Sequence, residues 1–187
     1  SKYNIYTDGL KIYTTIDSRM QRYAEEAVRE HLGGYLQPRF FSEKKGRSYG
    51  PFSRSISEKD RAAILERAMK QSDRYRSMQN DGYSESEIRK AFNTPVEMQL
   101  FSYNGMIDTI MTPMDSIRYQ KSFLRTGFMS MDPHNGHVKA YVGGIDFAHF
   151  QYNMVSQGRR QVGSTVKPFL YTLAMEEGFS PCDMELN

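Results

Sequence analysis

The sequence has few features that would cross-link the chain or hold it in a membrane. It contains one cysteine, Cys182, which has no partner for an internal disulfide, so cysteine usage does not separate a reducing from an oxidising compartment. No stretch approaches the roughly eighteen consecutive apolar residues of a spanning helix, and the N-terminal region lacks the basic start and apolar run of a signal peptide. We therefore expect no membrane-spanning helix within these residues.

The sequence also lacks a strong charge of one sign. Its 25 Lys and Arg residues against 22 Asp and Glu residues give a net charge of +3, spread along the chain. This balance is too weak to indicate a nucleic-acid partner or an anionic membrane surface. Of the 187 residues, 39% are hydrophobic and 13% aromatic, which is enough for one core, or one core and a smaller module. We expect a globular protein.

Two periodic patterns follow each other near the N-terminus. Residues 10–16 alternate apolar and polar side chains and are rich in β-branched types, which predicts a half-buried strand. Asp17 is expected to cap the helix that follows, and Gly33-Gly34 to end it. The helix has apolar positions three or four residues apart, namely Met20, Ala24, Ala27, Val28 and Leu32.

The next part of the chain alternates between polar and helical patterns. Residues 35–55 are polar and contain several glycines and prolines, which predicts a loop. Its small basic cluster is interpreted as a solvated face rather than an anion site; the cluster comprises Lys44, Lys45 and Arg47. Ser57 is expected to cap a helix over residues 58–78, with a shorter helix over residues 85–92.

Two hairpins are predicted in the second half of the chain. The dipeptide Asn104-Gly105 joins two strand-like runs and is a strong turn signal, because both residues tolerate positive φ. Residues 114–125 are expected to form a helix, and residues 127–144 a second pair of strands that turns at Asp132-Pro133 and Asn135-Gly136. The mixture of helices and hairpins predicts an α+β protein.

The stretch "RQVGSTVKPFLY" contains a candidate catalytic pair, Ser164 and Lys167. A serine hydroxyl is a weak nucleophile at neutral pH and needs a nearby base. Residues three apart on a helix share a face, so the lysine amine can approach the serine oxygen and accept its proton. Pro168 is tolerated only near a helix start, which places the serine at the positive end of the helix dipole. Phe169 and Tyr171 are expected to be core residues behind this helix.

Plainer interpretations of these motifs remain open. Ser42 and Lys45 match the same Ser-x-x-Lys spacing in the predicted loop, and a serine that merely caps a helix is the more common case. His134 and His137 flank a turn without a third ligand at suitable spacing, so a solvated hairpin tip is favoured over a metal site. We expect neither a metal ion nor a cofactor.

Two segments of the sequence resemble a known family. "GHVKAYVGGIDF" and "FQYNMVSQGRRQVGSTVKPFLY" resemble the region around the active-site serine of class A penicillin-binding proteins, the bifunctional enzymes that polymerise and cross-link peptidoglycan. "GLKIYTTIDSRMQRYAEEAV" resembles the connector between the glycosyltransferase and transpeptidase domains of the same family. The resemblance covers roughly half the chain and includes Asp132-Pro133, Gly136, Gly143-Gly144, Asp146-Phe147, Asn153, Arg160-Gln161 and Gly163.

This resemblance implies a reaction, a location and partners. Ser164 would be acylated by the D-Ala-D-Ala end of a peptidoglycan stem peptide, and the acyl group would pass to an amine of a neighbouring strand. Beta-lactam antibiotics such as penicillins would acylate the same serine, and Lys167 would accept its proton. The parent protein would act in the periplasm, at the outer face of the bacterial cytoplasmic membrane, anchored by an N-terminal helix outside this sequence. Cell-wall protein partners are compatible with this role.

Two further family motifs, Ser-x-Asn and Lys-Thr-Gly, are expected after the serine but do not occur there. Ser102-Tyr103-Asn104 spells the first, but it precedes the serine and lies in a predicted hairpin, so we interpret it as a chance match. The missing motifs, and the start at Ser1 without methionine, lead us to expect a fragment of a larger enzyme. We expect the 187-residue chain alone not to react measurably with penicillin.

The sequence thus predicts three parts. Residues 1–32 form a connector strand and helix, residues 33–126 a linker or insert module of helices and a hairpin, and residues 127–187 the N-terminal part of a β-lactamase/transpeptidase-like domain with the serine helix. Two alternatives to a serine transpeptidase remain. One is a non-catalytic linker and interaction module, and the other is a serine β-lactamase.

Overall fold

The computed structural model of the protein describes residues 3–4 and 6–184. The chain divides into a first unit that ends at Ser156 and a second that begins at Gln157. The first unit combines helices with two separate two-stranded antiparallel sheets, and the second contains a 3₁₀ turn and one helix. This is an α+β arrangement, as predicted. None of the helices in the described part of the chain is both long and apolar enough to cross a membrane.

The elements of the first unit are, in order, α1 (Ser18–Val28), a π-helical segment (Arg29–Leu36), α2 (Gln37–Lys44), α3 (Glu58–Gln71), α4 (Asp73–Asn80), α5 (Glu85–Phe92), β1 (Val96–Leu100), β2 (Ile107–Met111), α6 (Pro113–Lys121), β3 (Phe128–Met131) and β4 (Val138–Val142). The second unit contains a 3₁₀ turn (Gly163–Val166) and α7 (Lys167–Glu176). Each hairpin pairs consecutive strands, β1 with β2 and β3 with β4.

Helix α1 begins where the sequence predicts. The Asp17 carboxylate accepts hydrogen bonds from the backbone N–H groups of Arg19 and Met20, at 2.9 and 3.1 Å. The bonds from Met20 and Arg19 hold the pKa of Asp17 below its ordinary value. Ala24 of α1 is buried with two residues of β4, so the helix packs against the second hairpin.

The strand predicted at residues 10–16 is not formed. Ile12 is 73% exposed and Tyr13 is 90% exposed, so neither face of the segment is covered. The Thr15 hydroxyl does donate a hydrogen bond to the carbonyl oxygen of Val138 in β4, at 2.7 Å. An alternating pattern produces a strand only where a sheet covers its apolar face, and no sheet of the described residues does so here.

The predicted helix end at Gly33-Gly34 is also wrong. The helical backbone continues through the π-helical segment into α2, so residues 37–44 are helical where a loop was predicted. A Cβ atom on Gly33 would lie 2.5 Å from Cδ1 of the Tyr103 ring. This glycine is therefore needed for the close approach of an aromatic ring and does not end the helix.

The predicted helix over residues 58–78 is two helices. Ser57 caps α3 as expected, but the chain breaks at Ser72, whose hydroxyl accepts a hydrogen bond from the backbone N–H of Tyr75 and caps α4. Helix α5 has the predicted bounds. The three helices share one core of buried side chains, formed by Met69, Tyr75, Ile88 and Phe92.

Both predicted hairpins are present. Leu100 pairs with Ile107 across the first turn, where Gly105 has a φ of 108°. Gly136 has a φ of 72° in the second turn. These positive values favour glycine, because a Cβ atom would be strained there.

A buried glutamine links two parts of the first unit that are far apart in the sequence. Gln37 is 2% exposed, and its Nε2 donates to the carbonyl oxygen of Ser122 while its Oε1 accepts from the backbone N–H of Leu124, both at 2.8 Å. The side chain therefore satisfies two backbone groups that lie more than 80 residues away in the sequence.

Replacing Gln37 with alanine is expected to lower the free energy of unfolding by about 1–3 kcal/mol, because it leaves a buried backbone donor and acceptor unpaired. Urea unfolding followed by circular dichroism measures this change. Gln120→Ala removes an exposed glutamine from α6 and is expected to change the free energy of unfolding by less than about 0.5 kcal/mol. Equal stability of the two variants would contradict this role for Gln37.

Candidate active site

The backbone around the candidate serine forms a helix start. Ser164 lies in the 3₁₀ turn Gly163–Val166, and Lys167 is the first residue of α7. Pro168 is the second residue of that helix, a position where its missing N–H costs no hydrogen bond. The helix therefore begins close to the serine, as predicted.

The turn brings the serine and lysine onto one side of the backbone. The backbone N–H of Lys167 donates to the carbonyl oxygen of Ser164. Side chains three residues apart in a 3₁₀ turn are eclipsed, so these two side chains leave the backbone on the same face. Both residues are exposed. Both residues therefore lie at the N-terminal end of α7.

The geometry also bears on the capping alternative. The residues that occupy the N-cap positions of the 3₁₀ turn and of α7 are Val162 and Val166, neither of which makes a side-chain capping hydrogen bond. Ser164 itself lies inside the turn. Its hydroxyl is therefore not the cap of either element.

Ser42 and Lys45 share the spacing but not the environment. Ser42 lies in α2, near its C-terminal end, and the backbone N–H of Lys45 donates to its carbonyl oxygen at 3.4 Å. The predicted loop position of this serine is thus wrong. Negative charge is disfavoured at a helix C-terminus, so an oxyanion formed at Ser42 would not be stabilised by the helix dipole.

The Ser-x-Asn match has a structural role in the first hairpin turn. The Ser102 hydroxyl donates to the carbonyl oxygen of Gly105 at 2.6 Å and accepts from the backbone N–H of Asn104 at 3.2 Å. Its hydroxyl is therefore engaged in the turn.

The two histidines of the second turn are also held by local hydrogen bonds. The backbone N–H of His134 donates to the Asp132 carboxylate, and that of His137 to the side-chain oxygen of Asn135, both at 2.9 Å. In the part of the chain that the structure describes, no group of three or more His, Cys, Asp or Glu side chains is arranged to hold a metal ion.

The side chains behind the serine helix differ from the prediction. Phe169 is 76% exposed and Tyr171 is 56% exposed, so neither is a core residue. Leu173 of the same helix is also exposed. The described residues of the second unit contain no buried side chain, because this short unit has no sheet of its own to cover the helix.

A polar residue of α1 that no sequence pattern indicated supports the second hairpin. The Gln21 side chain accepts a hydrogen bond from the backbone N–H of Tyr141 at 2.7 Å and donates one to its carbonyl oxygen at 3.0 Å. A neighbouring strand would make the same two bonds, so the amide group covers part of the edge of β4. No local pattern could have indicated a contact across 120 residues.

A groove of about 910 Å³ lies in the first unit between α1, the first hairpin turn and the chain after β4. Its lining includes Arg22, Glu25, Tyr103 and Asp146. The Tyr103 hydroxyl is buried and has no hydrogen-bond partner among the described residues, and burial raises its pKa to about 12. Such a neutral phenol is a poor base at neutral pH.

Comparisons with known proteins found a family match in the middle of the chain and relatives along most of its length. Residues 47–124 match the penicillin-binding protein middle domain, and the chain is similar over most of its length to several class A penicillin-binding proteins. The resemblance predicted from the sequence is thereby confirmed. The matched residues lie within the predicted linker or insert module, residues 33–126.

Three relatives show the extent of the likeness. Penicillin-binding protein 1A of Escherichia coli (strain K12) is 27% identical over an alignment 214 residues long, which covers 96% of this chain and 24% of that protein. Penicillin-binding protein 2D of Bacillus subtilis (strain 168) is 27% identical over 161 residues, which cover 86% of this chain and 20% of that protein. Penicillin-binding protein 1A of Rickettsia typhi is 29% identical over 202 residues, covering 97% and 25%.

The chain therefore spans about a quarter of the length of the curated relatives it matches. No solved structure matches it.

Proposed function

We propose that the chain is part of a penicillin-binding protein that cross-links peptidoglycan stem peptides through an acyl-enzyme at Ser164. The observation that supports this proposal is the 3₁₀ turn that leads from Ser164 into Lys167 at the start of α7, in a chain that is similar to penicillin-binding proteins. The hydroxyl is the nucleophile, and the amine is its base.

The first step is acyl transfer to the serine. Lys167 accepts the hydroxyl proton as Ser164 Oγ attacks the carbonyl carbon of the penultimate D-Ala. The ester bond forms, the amide bond to the terminal D-Ala breaks, and the proton passes to the leaving amine. The positive end of the α7 dipole favours the negative charge that develops on the carbonyl oxygen.

The second step returns the enzyme to its starting state. An amine of a neighbouring stem peptide attacks the ester carbonyl and loses a proton, a new amide bond joins the two strands, and Ser164 recovers its hydroxyl. A penicillin enters the first step in the same way, because its strained lactam amide opens and leaves the acyl group on the serine.

The domain organisation belongs to the same proposal. The connector (residues 1–32), the linker or insert module (residues 33–126) and the start of a transpeptidase-like domain (residues 127–187) would follow a glycosyltransferase domain and a membrane anchor. The enzyme would act at the periplasmic face of the bacterial cytoplasmic membrane, where stem peptides are found. It requires no metal or cofactor, because the serine and lysine supply the nucleophile and the base.

A labelled penicillin tests the proposal in the full-length penicillin-binding protein that contains this chain. We expect the wild-type protein to carry one label per molecule after denaturing electrophoresis and the Ser164→Ala variant to carry none, since alanine has no nucleophile. Circular dichroism checks that the variant is folded.

Two controls sharpen this experiment. Ser42→Ala is expected to retain full labelling, because that serine lies at the C-terminal end of α2. The 187-residue chain alone is expected to remain unlabelled. Undiminished labelling of the Ser164→Ala protein would rule out the acyl-enzyme and favour a non-catalytic role for this segment.

A further inference from the structure

One side-chain oxygen holds the backbone at the end of the first unit. Oδ1 of Asn153 accepts hydrogen bonds from the backbone N–H groups of Val155 and Ser156, at 3.0 and 3.1 Å. It also accepts a bond from the hydroxyl of Tyr141 in β4, at 2.9 Å. Residues 153–156, here named the exit segment, are thus linked to Tyr141 of the second hairpin by this oxygen.

Two glycines allow the exit segment to lie directly on that hairpin. A Cβ atom on Gly143 would lie 3.1 Å from the side-chain atoms of Asn153, and one on Gly127 would lie 2.9 Å from the backbone nitrogen of Val155. The backbone N–H of Met154 donates to the carbonyl oxygen of Gly143 at 2.7 Å. Larger residues at either glycine would push the exit segment away from the hairpin.

Tyr141 links the exit segment to the first helix. Its backbone N–H and carbonyl groups are bound by the Gln21 side chain of α1, while its hydroxyl donates to Asn153. Tyr141 therefore contacts α1 through its backbone and the exit segment through its hydroxyl. Tyr141 belongs to the packed first unit, since its strand β4 also packs against α1 through Ala140 and Val142.

We propose that Asn153 is a positioning residue for the acylation of Ser164, an inference that rests on the proposed function. Only residues 157–163 separate the exit segment from the serine. When one end of a short connecting segment is fixed, its other end, here the serine, samples far less space than when both ends are mobile. Without the Asn153 oxygen, the backbone N–H groups of Val155 and Ser156 lose these hydrogen bonds, and the exit segment, from which the serine-bearing chain continues, is held less firmly.

The test measures acylation by labelled penicillin in the full-length protein, together with amide hydrogen exchange. We expect Asn153→Ala to lower the acylation rate constant at saturating penicillin by about 100-fold, because small displacements of a nucleophile have effects of that size. The affinity of the initial non-covalent complex is expected to stay unchanged. Exchange at Val155 and Ser156 should be about tenfold faster, since each amide loses one hydrogen bond.

Two further variants separate positioning from a general structural role. Asn153→Asp is expected to restore the acylation rate, because a carboxylate oxygen accepts from the same three donors. Asn135→Ala removes an asparagine whose oxygen binds the backbone N–H of His137 at the other end of the same hairpin, and it is expected to be acylated at the wild-type rate.

Three results would overturn the positioning role. They are wild-type acylation by Asn153→Ala, slow acylation by Asn153→Asp, and unchanged exchange at Val155 and Ser156 in Asn153→Ala. The failure of the proposed function looks different, because the wild-type protein itself would then carry no label on Ser164.

Discussion

Replacing Lys167 with arginine is expected to slow the acylation of Ser164 by about 100- to 10,000-fold, the range over which a positioned general base accelerates a reaction. Arginine keeps the positive charge but cannot be deprotonated in a protein, so it cannot accept the serine proton. Stopped-flow measurement of acylation by a labelled penicillin in the full-length protein gives the rate constant directly.

The matched control for this experiment is Lys45→Arg. Lys45 has the same spacing from Ser42 that Lys167 has from Ser164, but it follows the C-terminal end of α2, and its replacement is expected to leave acylation unchanged. Circular dichroism checks that both variants are folded. A Lys167→Arg protein that acylates at the wild-type rate would remove this lysine from the mechanism.

The second large effect is expected at Phe92, in the core shared by α3, α4 and α5. Its side chain is 1% exposed and packs with Met69, Tyr75 and Ile88. Phe92→Ala is expected to lower the free energy of unfolding by about 3–5 kcal/mol, since it removes a buried ring and leaves a cavity. Urea unfolding followed by circular dichroism measures the loss.

Phe147→Ala provides the comparison, because this phenylalanine is 81% exposed. Its removal is expected to change the free energy of unfolding by less than about 0.5 kcal/mol. A Phe92→Ala protein as stable as Phe147→Ala would show that the three-helix core does not stabilise the first unit.

The features that the sequence predicted correctly depend on neighbours along the chain. The Asp17 and Ser57 caps bond to backbone groups within three residues, and the turn at Asn104-Gly105 needs only a positive φ at its glycine. The helix start near Ser164 follows in the same way from the proline four residues later. Short-range geometry determines each of these features, so a local pattern is sufficient to predict them.

The errors arose where distant residues decide the structure. Residues 10–16 alternate like a strand, but strand formation depends on a sheet that would cover them. Gly33 signals a helix end locally, yet it is required by the ring of Tyr103, seventy residues further along the chain. The same limit applies to the contact between α1 and the second hairpin. The contact between Gln21 and Tyr141 spans 120 residues, and no periodicity or spacing reports it.

The central claim is that Ser164 is the residue that becomes acylated. Mass spectrometry of a protease digest, made after the full-length protein has reacted with penicillin, locates the adduct on one residue. We expect a single penicilloyl group on the peptide that contains Ser164, and an unmodified peptide around Ser42. An adduct on any other serine, with the Ser164 peptide unmodified, would contradict it.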